Sequence, residues 1–338
     1  MITRSERIVL CAAVIVRAAL PILAFMHARD GRIFTSPDTG SYIACAASLA
    51  RGEGFTTGGE PEIARTQGYP LLLVPGVLAR HLAAVTIPLQ IALGVLTVWL
   101  VFSLTGSLTG RPRAAFIAGL FCAYEPLSIF YCSLLLTETL FATVLLVSLF
   151  FLVRFLNAGH APALALSACG FAAAVYVRPI AYWLPLAMVT VILASIWEGR
   201  DNRTRKIFGG CAFLALCVVL IGAWQVRNYH VAGYRGFSAI SDSSLYFYQG
   251  AAVHSALTGE AYDTVQRERG FSLNQEQKNS TPAQRYSYMG NEGRTIIRAH
   301  PLVFMREYVK GLVRTAFGPG ATEYLRIFGL YKEGHGLL

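Results

Sequence analysis

Two carboxylates and three arginines stand where chemistry can be done at a membrane surface. Asp38 lies in SPDTGSYI, directly after the apolar run from Ile8 to Met26, and Glu138 lies in SLLLTETLF, at the mouth of a later apolar run. Arg65, Arg178 and Arg227 each fall close to the end of an apolar segment. With 19 acidic residues in the whole chain, acids at such borders are few enough to single out. A carboxylate there can take a proton from a hydroxyl, and a guanidinium offers a planar fork that matches a phosphate. Asp38 and Glu138 together would also form an oxygen-rich pair suited to Mg2+ or Mn2+. Plainer roles exist for all of them. Asp38 occupies the position of a helix N-cap, Glu138 can be a first-turn acid facing a helix dipole, and arginines at span ends anchor in the headgroup layer.

These residues must be positioned by helices in a bilayer. Hydrophobic residues make up 54% of the chain and charged residues 14%, against about 25% charge in an ordinary soluble domain. Crossing the hydrocarbon core takes about 20 apolar residues, and seven runs qualify: 8–26, 86–106, 114–132, 139–157, 162–178, 180–197 and 207–224. The expected fold is therefore all-α, a polytopic helical membrane protein of about seven spans. The net charge of +10 gathers in loops, as expected for cytoplasmic loops and anionic headgroups. No basic helix interleaved with aromatics suggests nucleic acid as a partner. Cys11, Cys122, Cys132, Cys169, Cys211 and Cys217 lie in apolar runs, with no CxxC pair or zinc spacing, so packing is their expected role.

Orientation follows the basic loops. Arg4 and Arg7, Arg111 and Arg113, and the cluster Arg200, Arg203, Arg205 and Lys206 all face the cytoplasm if the short, proline-bearing segment 69–83 is re-entrant or interfacial rather than a span. The loop 27–68 with Asp38, the Glu138 border and Arg178–Pro179 then share the opposite side. The expected division is a transmembrane core of 1–224 and a non-cytoplasmic region of 225–338. GSYIACAASLARG, after Asp38, reads as a short amphipathic juxtamembrane helix. GNEGRTIIRAHPLVFMREYVKGLVRTAF reads as helical around Pro301, with Arg306, Lys310 and Arg314 on one face, a surface-lying amphipathic helix at anionic headgroups. Arg17, inside the first run, should be paired or snorkelling. Tyr124–Glu125–Pro126 falls inside an expected span that Pro126 can break. Glu125 is an intramembrane acid and so a functional candidate with no assigned part.

Five short motifs now stand in order: PDTGSYIACAASLARGEGF, RTQGYPLLL, the TET around Glu138, VRP at Arg178–Pro179, and WQVRNY from Trp224 to Tyr229. In this order and spacing, over residues 1 to about 235, the chain resembles the GT-C glycosyltransferases of the protein O-mannosyltransferase and lipid A aminoarabinose transferase branch. The resemblance implies an integral-membrane inverting glycosyltransferase. Its donor would be a polyprenyl-phosphate-linked sugar and its acceptor an envelope protein, lipid or glycan. Transfer would occur on the non-cytoplasmic face of a multi-pass membrane protein, expected in a bacterial inner membrane. It gives Asp38 and Glu138 the catalytic positions. Tyr42, Arg65, Tyr69, Arg178 and Arg227 are the expected substrate-binding residues, with no certain cofactor beyond a divalent cation on the two acids. Further spans usually follow in this family; 225–338 does not read as further spans. Two other readings stay open: a transporter or flippase, which Arg17 and Glu125 would suit, and a non-enzymatic envelope-assembly protein.

Overall fold

Apolar length sets the scaffold, and proline and glycine set its joints. The structure is a computed structural model describing residues 3–28, 31–196 and 203–317. It is nearly all-helical, and the described residues form two compact units, one within 3–56 and 66–222 and the other within 57–65 and 223–317. Strand structure among the described residues is confined to a ribbon of β1 (Thr56–Thr57) and β2 (Glu60–Pro61).

In the first unit α1 (Arg4–Ala28) leads through a loop to α2 (Thr39–Ala50) and the short α3 (Gly68–Leu78). Then come α4 (Leu82–Thr109), α5 (Pro112–Tyr124), α6 (Pro126–Cys132), α7 (Glu138–Ala158), α8 (Ala161–Val177) and α9 (Leu184–Ala194). Residues 203–222 of α10 (Arg203–Ala232) complete it. Helices α1, α4, α7 and α10 are long and apolar enough to span a bilayer, and α5 with α6 makes a fifth if the bent pair is one span. Among the described residues there are thus four to five helices long and apolar enough to span, and the expected count of seven is not reached there. The runs 162–178 and 180–197 yield helices of 17 and 11 residues. Pro179 forces Arg178 into an extended conformation, φ −139° and ψ 115°, because the residue before proline is excluded from the helical region. The run 162–178 stops where α8 does, whereas the run 180–197 loses its first residues to the turn at Pro179–Ala181, which leaves α9 short.

In α1 only 28% of the most apolar window is buried, and Ile15, Ile22, Leu23, Phe25 and Met26 face outward. Such a surface is at home against acyl chains, where it needs no protein partner. The inward faces carry small residues. Val9, Ala13, Val98 and Ala123 form the core where α1, α4 and α5 meet. α4 and α7 end at Gly110 and Gly159, both left-handed at φ 65° and 71°, the usual glycine stop.

The break between α5 and α6 bends the chain by 55°. Glu125 is extended there, and its carboxylate accepts the backbone N–H groups of Leu127 at 3.0 Å and Ser128 at 2.5 Å. It is the N-cap of α6. Arg17 meets the other side of the break. It is fully buried, donating to the carbonyls of Ala123 at 2.8 Å and Cys122 at 3.0 Å and to Ser128 Oγ at 3.0 Å. It is paired, as expected, but with the orphan carbonyls that end α5 rather than with an acid, and it does not snorkel.

The second unit contains the end of α10, then α11 (Ile240–Ser244), a π-helical turn at Leu245–Gly250, α12 (Ala251–Thr258), α13 (Tyr262–Glu276), α14 (Pro282–Ala299) and α15 (Pro301–Phe317). The stretch read as one helix around Pro301 is two, divided at His300, because Pro301 starts a helix better than it continues one. Thr281 and Gln284 form a reciprocal capping box on α14. Asp242 is the hub of this unit. It is buried, accepting from the Tyr234 hydroxyl at 2.9 Å and from Arg294 at 3.2 Å.

Candidate active site

Asp38 ends the turn that launches α2, and its side chain makes no capping hydrogen bond. Thr39 performs the local fixing instead. The Thr39 hydroxyl accepts the Ser36 N–H at 2.9 Å and donates to the Leu135 carbonyl at 3.0 Å, fully buried. The Leu135 N–H returns a bond of 2.8 Å to the Phe34 carbonyl. These bonds join the turn carrying Asp38 to the α6–α7 loop, and that loop ends at Glu138, the first residue of α7.

The same loop is held from below by Gln90, whose amide donates to the carbonyls of Cys132 at 3.1 Å and Leu134 at 2.6 Å. Gln90 in turn accepts from the Tyr69 hydroxyl at 2.8 Å. Tyr69 is fully buried and meets Tyr42 edge to face at 5.2 Å. Both tyrosines belong to a core with Phe34, Ala46, Leu73 and Leu135. The tyrosines named from the sequence therefore support the loop from within the fold.

Asp38 and Glu138 line one cavity of about 210 Å³, together with Ser36, Tyr131, Leu134 and Leu136. A second cavity of about 250 Å³ shares Tyr131 and Glu138 and reaches Arg17, Glu125 and Ser128. Glu138 is thus common to both. It also pairs with Arg178, Oε1 to guanidinium at 2.8 Å. The groups are 28% and 37% exposed, so the pair is open to exchange with water or an anion. The VRP step is what presents Arg178. The extended residue before Pro179 ends α8, and its guanidinium lies over Phe141 at 5.9 Å. Gly68 packs onto the same helix end. A Cβ on Gly68 would stand 2.7 Å from the Tyr176 carbonyl oxygen, so only glycine fits.

Arg65 and Arg227 belong to the second unit. Arg227 donates to the Glu62 carbonyl at 2.6 Å and to Asn228 Oδ1 at 3.0 Å and stacks on Trp224 at 4.7 Å. Arg65 follows a turn in which Glu62 accepts the N–H groups of Ala64 at 2.7 Å and Arg65 at 3.0 Å.

A divalent cation takes about six oxygen ligands. Among the described residues no three His, Cys, Asp or Glu side chains converge. Asp38 and Glu138 could supply two of these ligands, with water and a substrate phosphate completing the shell, and the ion would displace the Arg178 guanidinium from Glu138.

Sequence reasoning missed Thr39 and Gln90. Gln90 had a signal, a polar residue inside an apolar run; Thr39 had none beyond lying next to Asp38.

No curated protein and no solved structure matches the chain. Residues 76–224 match the dolichyl-phosphate-mannose-protein mannosyltransferase family. The match includes Glu138 and Arg178 and begins after Asp38, Tyr42, Arg65 and Tyr69. Over this segment, somewhat less than half of the chain, the sequence is similar to that family of membrane glycosyltransferases, in line with the resemblance its motifs carry.

Proposed function

We propose that this protein is an inverting membrane glycosyltransferase that takes a sugar from a polyprenyl phosphate and passes it to an envelope acceptor on the non-cytoplasmic face. The observation carrying this reading is the shared cavity: Asp38 and Glu138 line one space, and the Arg178 guanidinium is bonded to the second acid. Asp38 accepts the proton of the acceptor hydroxyl as its oxygen attacks the anomeric carbon. The bond from that carbon to the phosphate oxygen breaks, and its electron pair leaves with the polyprenyl phosphate. Arg178 binds that departing charge through its fork. In the absence of phosphate it rests on Glu138, so phosphate binding frees the Glu138 carboxylate to orient the acceptor. Tyr42 and Tyr69 act by supporting the loop. Arg65 and Arg227 belong to the second unit and take no part in this step. The family's description names a mannosyl phosphate lipid, which makes mannose the first sugar to try.

The two residues that suited a transporter have structural work instead: Arg17 binds the carbonyls ending α5, and Glu125 caps α6. That leaves the solute-pathway reading without its motivating residues.

The test is transfer from polyprenyl-phosphate sugars to endogenous envelope acceptors in membranes bearing wild type or Asp38→Asn. Transfer is expected to collapse in the variant. Persistence at the wild-type rate removes Asp38 as the base.

A further inference from the structure

Helix α15 has three faces of different character. Val303, Phe304 and Glu307 are partly covered, and the helix packs against α12. On the far side, Leu302, Met305, Tyr308, Val309, Leu312 and Val313 form an outward apolar arc, with Leu302 85% exposed. Their spacing of three and four residues puts them on one side of the helix. Along one edge of that arc run Arg306, Lys310 and Arg314, one per turn. They border a hollow of about 570 Å³ whose other wall includes Ser255 and Tyr262. Glu307 sits within the row, bonded to Arg306 and Lys310 at 2.9 Å each, so three cations face one carboxylate. The Tyr262 hydroxyl accepts from Gln266 at 3.0 Å and keeps its own proton to donate.

An apolar arc with cations at its edge fits one kind of surface, the boundary between acyl chains and anionic headgroups. A second copy of the chain would cover the arc but would have to bury the basic row near another basic row. The first unit already carries helices long and apolar enough to cross a membrane, so a bilayer is the apolar phase at hand for the arc. We propose that the second unit lies on the membrane through α15, with the arc among the acyl chains and the phosphate of an anionic phospholipid in the hollow beside Arg306, Lys310, Arg314 and Tyr262. This proposal is independent of glycosyl transfer.

The experiment uses the full chain with its native cysteines replaced, carrying Val309→Cys labelled with an environment-sensitive fluorophore. It is reconstituted in nanodiscs of phosphatidylcholine alone or mixed with phosphatidylglycerol, each with or without brominated acyl chains. Brominated lipid should quench the label. Quenching should rise severalfold with phosphatidylglycerol, and added salt should reverse the increment. Arg314→Gln should reduce the phosphatidylglycerol increment, and Arg306→Gln with Lys310→Gln and Arg314→Gln should abolish it. A label that stays unquenched in both lipids overturns the proposal, as does one protected instead by a second copy, seen as intermolecular cross-linking at position 309. Equal quenching in both lipids, unchanged in the triple variant, overturns the headgroup site.

Discussion

Asp38 and Glu138 in the first unit and Asp242 in the second are all acids placed near helix ends, and Glu138 and Asp242 each pair with an arginine. Yet they sit in opposite situations. Asp242 is 7% exposed, and the Tyr234 hydroxyl and the Arg294 guanidinium occupy its oxygens. Even its surroundings are closed, since a Cβ on Gly290 would collide with its carboxylate. Glu138 is engaged on one side by Arg178 and opens on the other to a cavity that Asp38 also lines. A saturated carboxylate holds a fold together; one with access to a cavity can change partners. Residue type and local motif do not separate the two cases, whereas access does.

The sharpest way to break this comparison is to neutralise one acid in each unit. Asp38→Asn is expected to lower transfer by about a hundredfold to ten-thousandfold, the usual weight of a general base. Its melting temperature in detergent should stay close to wild type, because the change is isosteric and no capping bond is lost. A drop in melting temperature with activity retained would make Asp38 a structural residue rather than the base. Asp242→Ala should do the reverse. Leaving the buried partners of Asp242 unsatisfied costs about 1–3 kcal/mol, since Arg294 is 42% exposed and keeps access to water; chemical denaturation of the purified protein reads it.

A smaller effect is expected at the exchangeable pair. Glu138→Gln should lower transfer about tenfold, or about 1.4 kcal/mol on the barrier. It should also tighten binding of the polyprenyl phosphate product, because Arg178 is released from its resting partner. Weaker product binding in Glu138→Gln would show that the acid holds Arg178 in place for the phosphate rather than competing with it.

The smallest effect is a pH dependence in the second unit. Burial, then the Asp242 carboxylate, push the Tyr234 phenol well above its usual range. Because the folded protein holds this proton more tightly than the unfolded chain, its contribution is fully present below about pH 10 and is lost as pH rises through the folded value. Stability should therefore decline in that alkaline window, and less so in Tyr234→Phe. An identical alkaline decline in the variant would mean other tyrosines govern it.

Much of the scaffold was legible because its causes are local. Runs of apolar residues anticipated α1, α4, α7 and α10. Pro126 marked the break in the run 114–132, and the helix after Asp38 appeared within a residue or two of its expected bounds. The two runs flanking Pro179 were located, but their helices of 17 and 11 residues are shorter than the spans expected of them, since hydropathy reports composition and not helix length. At the site, the two acids and Arg178 could be named from the sequence. Their arrangement could not. Glu125 carried a signal as an intramembrane acid, but its use as a cap depended on the 55° bend.

From the sequence alone came the membrane-embedded helical class, the family resemblance and the residues worth testing, since apolar length, charge placement and short motifs are properties of the chain itself. Tertiary structure alone decided which polar groups are already spent. Arg17 finds its carbonyls 105 and 106 residues away, and Thr39 finds Leu135 across 96. Hydrogen bonds act over about 3 Å of space whatever their separation along the chain, so no reading of neighbouring residues can assign those partners.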